Sequence, residues 1–238
     1  MNKQAIIDLY TDLAANPEKN FGWEKGLQNA INHGYKDEWI ASIPKEIWNY
    51  CIAVGNPFIA GELQEGEIVL DLGCGAGVDL CVASLLVGEK GYVYGADITP
   101  AMVERAQYNI SLAGLSNITV HECSIELLPV DDNSINTVIS NGAINLVNSK
   151  ETAFSEIYRI LMKGGRLYLA DMIRDDNARE LSCCVNESWA NCVAGTLTSD
   201  ELIQLLTQAG FVDIQFLGTN HYKTADSTIG AAFSAKKA

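Results

Sequence analysis

Asp71, Gly73, Gly75, Gly77 and Asp97 are the residues whose types and spacing point most directly to chemistry. The first four stand in Val69-Leu70-Asp71-Leu72-Gly73-Cys74-Gly75-Ala76-Gly77, and Asp97 follows 24 residues after Gly73. Glycines after a strand let the backbone turn sharply and approach a ligand, and the helix beyond them offers unpaired N–H groups. An acidic residue that closes the next strand can accept both hydroxyls of a ribose. Together these features predict a site for an adenosine-containing cofactor. Dinucleotide sites use GxGxxG, whereas this chain carries Gly73-x-Gly75-x-Gly77 with Val78 after it. A carboxylate at Asp71 would repel a pyrophosphate but would accept hydrogen bonds from a cationic amino-acid group. Both observations favour S-adenosylmethionine over NAD.

The elements that must position these residues alternate regularly from residue 66 onwards. Strands are expected over 67–72, 91–97, 118–122, 135–140 and 166–170, with helices over 78–87, 100–113, 151–162 and 199–209 between or after them. Two further strands, 212–217 and 228–234, have no helix between them and predict an antiparallel pair at one sheet edge. This alternation predicts an α/β fold with a doubly wound, mostly parallel, seven-stranded sheet. Residues 1–60 read differently: short helices near 6–13, 37–41 and 44–54, and the aromatic residues Tyr10, Trp23, Tyr35, Trp39, Trp48 and Tyr50. They predict an N-terminal helical cap or substrate lid over 1–60, followed by a cofactor-binding core over 61–238.

The composition sets limits on function. The chain has 238 residues, 48% apolar and 19% charged, which suits a globular core. Its 16 Lys and Arg against 30 Asp and Glu leave a net charge of −14, so no nucleic acid partner and no anionic membrane surface is expected. The first residues show no apolar signal core, so a cytoplasmic setting is expected, with the seven cysteines reduced. The three histidines are scattered and no CxxC pair occurs, so no metal site of ordinary spacing is expected. Oligomeric state is open.

The segments "VLDLGCGAGVD" and "GADITPAMVERA" resemble those of class I S-adenosylmethionine-dependent methyltransferases. Within that superfamily the chain is most similar to arsenite methyltransferases, through "GYKDEWIASIPKEIW…GNPF", "LLPVDDNSINTVISNGAINLV", "KGGRLYLADMI" and "WANCVAGTLTSDEL". The resemblance implies a Rossmann-like methyltransferase fold and S-adenosylmethionine as cofactor. It implies that Gly73, Cys74, Gly75 and Gly77 wrap the methionine portion and that Asp97 holds the ribose. Ile98 and Met102 would lie against the adenine, Ser124, Ile125 and Glu126 along its edge, Asn141 near the transferring methyl, and Tyr10 over the cofactor. It also implies cysteine ligands for arsenic. Of these only Cys192 is matched: Val54 and Gly142 stand at two such places, and none occurs around Lys25-Gly26-Leu27.

For the acceptor side the residues themselves offer few candidates. Asn145 follows the fourth strand and could orient a substrate, and Cys192 could touch it. Cys51 could turn towards the place of Val54, while Cys183 and Cys184 read as small buried residues. Glu38 and Tyr10 are further candidates, and His33 sits in a turn and is expected to face solvent. No acid–base pair stands out, which favours a soft or already activated nucleophile. The expected function is methyl transfer to a small molecule, either arsenite-like or a small aromatic or thiol compound held near Trp23, Trp48 and Trp189. The rival readings are a non-catalytic S-adenosylmethionine-binding protein and an NAD-dependent oxidoreductase.

Overall fold

The computed structural model describes residues 3–174 and 195–238. Four short helices come first: α1 (Lys3–Ala15), α2 (Leu27–Asn32), α3 (Asp37–Ser42) and α4 (Lys45–Trp48). The alternating part follows as β1 (Ile68–Leu72), α5 (Val78–Val87), β2 (Tyr92–Asp97), α6 (Pro100–Leu112), β3 (Ile118–Glu122) and β4 (Ile135–Asn141). It continues with α7 (Lys150–Ile160), β5 (Leu161–Arg174), α8 (Ser199–Gln208), β6 (Phe211–Thr219) and β7 (Thr228–Lys237).

The strands form one seven-stranded sheet in the order β3-β2-β1-β4-β5-β7-β6. β1 to β5 run parallel, and β7 lies antiparallel between β5 and β6. The expected antiparallel pair is therefore present at the edge. The central strands are short and apolar because helices cover both of their faces. β1 is buried from Val69 to Leu72, and α5 is apolar nearly all round. α8 starts with a capping box in which Thr198 and Glu201 each satisfy the other's backbone N–H. The chain order reverses between β1 and β4, which opens a crevice beyond the carboxyl ends of these two strands.

The N-terminal helices pack beside that crevice. Leu13 and Ala14 of α1 meet Met102 of α6, and Tyr35, Trp39, Trp48 and Phe58 form a second cluster against Val78 and Cys81 of α5. Trp48 is fully buried there and is a packing residue.

Two expectations differ from the structure. The helix read over 44–54 stops at Trp48, and α2 was not apparent in the sequence. Both differences trace to Asn29, a fully buried amide on α2. Its Nδ2 donates to the Ala53 carbonyl at 3.0 Å, and its Oδ1 accepts the Ala53 N–H at 2.8 Å. Those bonds hold residues 51–54 extended where a helix would have used the same backbone groups. The helix read to 162 ends at Ile160 because Leu161 pairs with Ile135, and β5 runs on to Arg174 along β7.

Asn29→Ala leaves both Ala53 groups buried without their partner. It is expected to cost about 1–3 kcal/mol, read as a lower denaturant midpoint at unchanged slope. A loss under about 0.5 kcal/mol, within the range of ordinary surface substitutions, would contradict the role of Asn29.

Candidate active site

A cavity lies over the carboxyl ends of β1, β2 and β4, bordered by the glycine loop, by α1 and by residues 50–54. The loop adopts its shape because Gly73, Gly75 and Gly77 all have positive φ, at 68°, 51° and 86°. A Cβ on Gly73 would stand 2.3 Å from that of Ala143, so the loop and the segment after β4 touch through a glycine. A Cβ on Gly75 would meet nothing within 4 Å, so the backbone there is open to a ligand.

Three carboxylates converge on this cavity. Asp97 ties the loop down: Oδ2 accepts the Gly75 N–H at 2.9 Å and Oδ1 accepts the Thr99 N–H at 2.8 Å. An ionised carboxyl has about four acceptor positions, so Asp97 keeps capacity for a diol. Asp71, on β1, is 1% exposed, and its Oδ2 has no hydrogen-bond partner among the described residues. Asp79, in the first turn of α5, accepts the Tyr35 hydroxyl at 2.6 Å on Oδ1 and the Asn141 amide at 3.2 Å on Oδ2. Burial raises all three above the usual carboxylate range, and at Asp71 the charges of Asp79 and Asp97 add to the effect. Lys3 is the one basic side chain among the described residues that border the cavity. Such a site suits a cation and repels a pyrophosphate.

Every residue expected at the cofactor borders the cavity except Gly77, whose place is under the loop against Ala106. Tyr10, Asp71, Gly73, Cys74, Gly75, Asp97, Ile98, Met102, Ser124, Ile125, Glu126 and Asn141 are brought together there. Glu126 is partly committed: Oε1 accepts the Ser149 N–H at 2.8 Å, and Oε2 accepts the Ser124 hydroxyl at 3.3 Å. Asn141 is committed to the protein itself. Its Oδ1 accepts the Val54 N–H at 3.0 Å, while its Nδ2 faces Tyr35, Gly55 and Asp79 oxygens at 3.1–3.2 Å.

The acceptor-side expectations fare differently. The Asn145 side chain is not among those bordering the cavity. It is buried, with neither polar atom bonded among the described residues, and its backbone N–H is held by Asp171 at 3.2 Å. A substrate-orienting Asn145 therefore needs correction: the turn is anchored with the amide facing away from the cavity. Cys192, Cys183, Cys184 and Trp189 lie outside the described residues. Cys51 borders the cavity, but its thiol donates to Asn29 Oδ1 at 3.5 Å and burial pushes its pKa up. Cys74 is likewise held well up, and Cys123 is pushed up to about 11. His33 is half-buried with its ring edge-on to Tyr222 at 5.2 Å, because the turn that carries it folds against the β6–β7 connection. Glu38 is exposed on α3.

Asp79 and Tyr35 are site residues that the spacing argument did not pick out. Asp79 had a usable signal: an acid inside the otherwise apolar stretch Val78–Cys81. Tyr35 had none, since its partner is 44 residues away.

Comparison with known proteins adds the following. A family model described as "Methyltransferase domain" matches residues 63–210. The arsenite methyltransferase of Halobacterium salinarum is 36% identical over 182 residues, covering 76% of this chain and 46% of that protein. The human arsenite methyltransferase is 37% identical over 175 residues, covering 70% and 47%. The chain thus spans about half the length of these curated relatives. The crystal structure of an arsenic(III) S-adenosylmethionine methyltransferase from Chlamydomonas reinhardtii superposes with a TM-score of 0.70 at 33% identity, covering 84% of this chain and 71% of that one.

The buried acids make a prediction. Asp71, Asp79 and Asp97 hold their protons above the ordinary Asp value, and Asp171, below the same wall, is raised to about 7. The folded state then binds more protons than the unfolded one above about pH 4, so stability falls as pH rises through that window. The denaturant midpoint of the ligand-free chain is expected to be lower at pH 8 than at pH 5, with Asp71→Asn flattening the difference. An equal or higher midpoint at pH 8 would contradict the arrangement.

Proposed function

The chain belongs to the methyltransferase-domain family, in the class I group that uses S-adenosylmethionine, and on that premise we propose that it transfers a methyl group from this cofactor to a small-molecule acceptor, in the manner of the arsenite methyltransferases it resembles. One observation carries the reading: three buried carboxylates, one with an unpartnered oxygen, converge on a cavity with a single basic side chain among the described residues at its border. The cofactor fits that donor set, because its sulfonium and amino groups are both positive.

In this reading Asp71 and the glycine loop hold the amino-acid portion, and Asp97 takes the ribose hydroxyls with the acceptor positions that Gly75 and Thr99 leave. Ile98 and Met102 flank the adenine, with Ser124, Ile125 and Glu126 along its edge. When bound, the cofactor supplies an electrophilic methyl group on a positively charged sulfur. The protein's part is to align an acceptor with that group and to exclude water. Residues 1–60 act as the lid over the core at 61–238: Tyr10 and Trp23 border the cavity from that side. Asn141 acts indirectly, fixing residues 54–55 beside the loop.

No helix among the described residues is long and apolar enough to cross a membrane, and Cys51, Cys74, Cys81 and Cys123 are free thiols. Free thiols suit a reducing cytoplasm, which we include in the proposal. The charge of −14 favours a small substrate over a nucleic acid.

Asp97→Ala removes a charged partner worth about 1.5–3 kcal/mol per hydrogen bond. It is expected to weaken S-adenosylmethionine binding at least tenfold in calorimetry while the protein stays folded by circular dichroism. Unchanged affinity would overturn the ribose assignment. Methyl transfer itself is read with labelled S-adenosylmethionine and a panel of small acceptors. Cofactor binding without transfer to any of them would favour a binding protein over an enzyme.

A further inference from the structure

The cavity has a second end, beyond the carboxyl end of β4, and its character is opposite to that of the cofactor end. Val54, Gly142, Leu146, Val147 and Tyr222 border it. Met172 is buried behind Val54 in one apolar cluster with Leu146 and Tyr222. Resting on the cofactor reading above, we infer that this end is an acceptor slot for a small, neutral, apolar thiol, and that Val54 sets its selectivity.

Val54 stands in a backbone that has nowhere to go. Its N–H donates to Asn141 Oδ1 at 3.0 Å, and its carbonyl accepts Asn220 Nδ2 at 2.8 Å. On either side the packing is too close for a Cβ: one on Gly55 would stand 2.9 Å from that of Ala170, and one on Gly230 would stand 2.4 Å from the Val54 carbonyl oxygen. The isopropyl group is therefore presented at a fixed place. It faces Gly142, where a Cβ would meet its two methyl carbons at 3.1 and 3.4 Å. The slot is walled by carbon here, with no charged side chain among the described residues at this end. A charged acceptor entering it would give up hydration without a partner, at a cost far above that of an apolar one.

The nucleophile follows from what the slot lacks. An alcohol needs its proton removed during transfer by a positioned base. Asp79 is the carboxylate that reaches the end of β4, and both of its oxygens already accept hydrogen bonds, from Tyr35 and Asn141. Cys51 is held protonated and bonded to Asn29. A thiol needs no base: with a pKa near 8.5 it ionises to a few per cent at neutral pH and is intrinsically nucleophilic. The thiol proton leaves to water. The acceptor sulfur's electron pair then forms the new carbon–sulfur bond, while the methyl carbon's bond to the sulfonium breaks and that pair stays on the departing sulfur. The products are a methyl thioether and S-adenosylhomocysteine.

The test is calorimetry on the full chain saturated with S-adenosylhomocysteine, titrated under a phosphine reductant with phenylmethanethiol, with 4-(mercaptomethyl)benzoate and with arsenite. Phenylmethanethiol is expected to bind at least tenfold more tightly than the other two. Val54→Thr, which keeps the shape and adds a hydroxyl, is expected to weaken it at least threefold with S-adenosylhomocysteine affinity unchanged. With labelled S-adenosylmethionine the same order is expected in the yield of methyl thioether. Equal or tighter binding of the carboxylate or of arsenite would overturn the inference. So would no binding of phenylmethanethiol to a chain that binds S-adenosylhomocysteine, or no effect of Val54→Thr. Failure to bind S-adenosylhomocysteine at all would overturn the cofactor reading and this inference with it.

Discussion

The amide of Asn141, at the end of β4, joins three parts of the chain that are remote in sequence. One face accepts the Val54 N–H, and the other points at oxygens of Tyr35, Gly55 and Asp79. Through it the N-terminal segment, the start of α5 and the switch point of the sheet share one buried hydrogen-bond network. Such a network rigidifies when every member is satisfied and is costly when one is not. The position of Val54, the orientation of Asp79 and the closeness of residues 50–55 to the glycine loop all depend on it. The cavity therefore has walls from both the sheet and the N-terminal helices.

The same region concentrates negative charge against the interest of the fold. Asp71, Asp79 and Asp97 are buried near one another in a chain that already carries a charge of −14. The cost of burying them raises their pKa values and makes the ligand-free state less stable as pH rises. A cation that binds only the folded chain offsets that cost by mass action. Function and instability thus share one cause: acids placed to receive a positive ligand have no protein cation to pair with among the described residues at the cavity. Asp171 shows the opposite solution. Its carboxylate is satisfied by the N–H groups of Ile144, Asn145 and Met172 at 2.7–3.2 Å, and it holds the turn that carries Leu146.

Local patterns carried most of the fold. The strand–glycine–helix junction at 68–87 and Asp97 at the end of β2 were legible because the turn, the strand and the helix are contiguous and each constrains the next. The antiparallel edge was legible from two strands without a helix between them. What escaped the sequence was set by pairs distant along the chain. Asn29 meets Ala53 and so ends a helix that residues 44–54 alone would favour. Tyr35 meets Asp79, and Asn141 meets Val54. Asn145 looked well placed after β4, but one turn of backbone, anchored by Asp171, rotates it out of the cavity. His33 looked like a solvent residue until the β6–β7 connection covered it.

The account turns on whether the buried acids select a cationic cofactor. The measurement that reaches this most directly is calorimetry of S-adenosylmethionine and of NAD against the same preparation of the full chain at neutral pH. The account predicts one saturable site for S-adenosylmethionine and no heat of binding for NAD. Binding of NAD with equal or greater affinity, or no binding of S-adenosylmethionine, would contradict it.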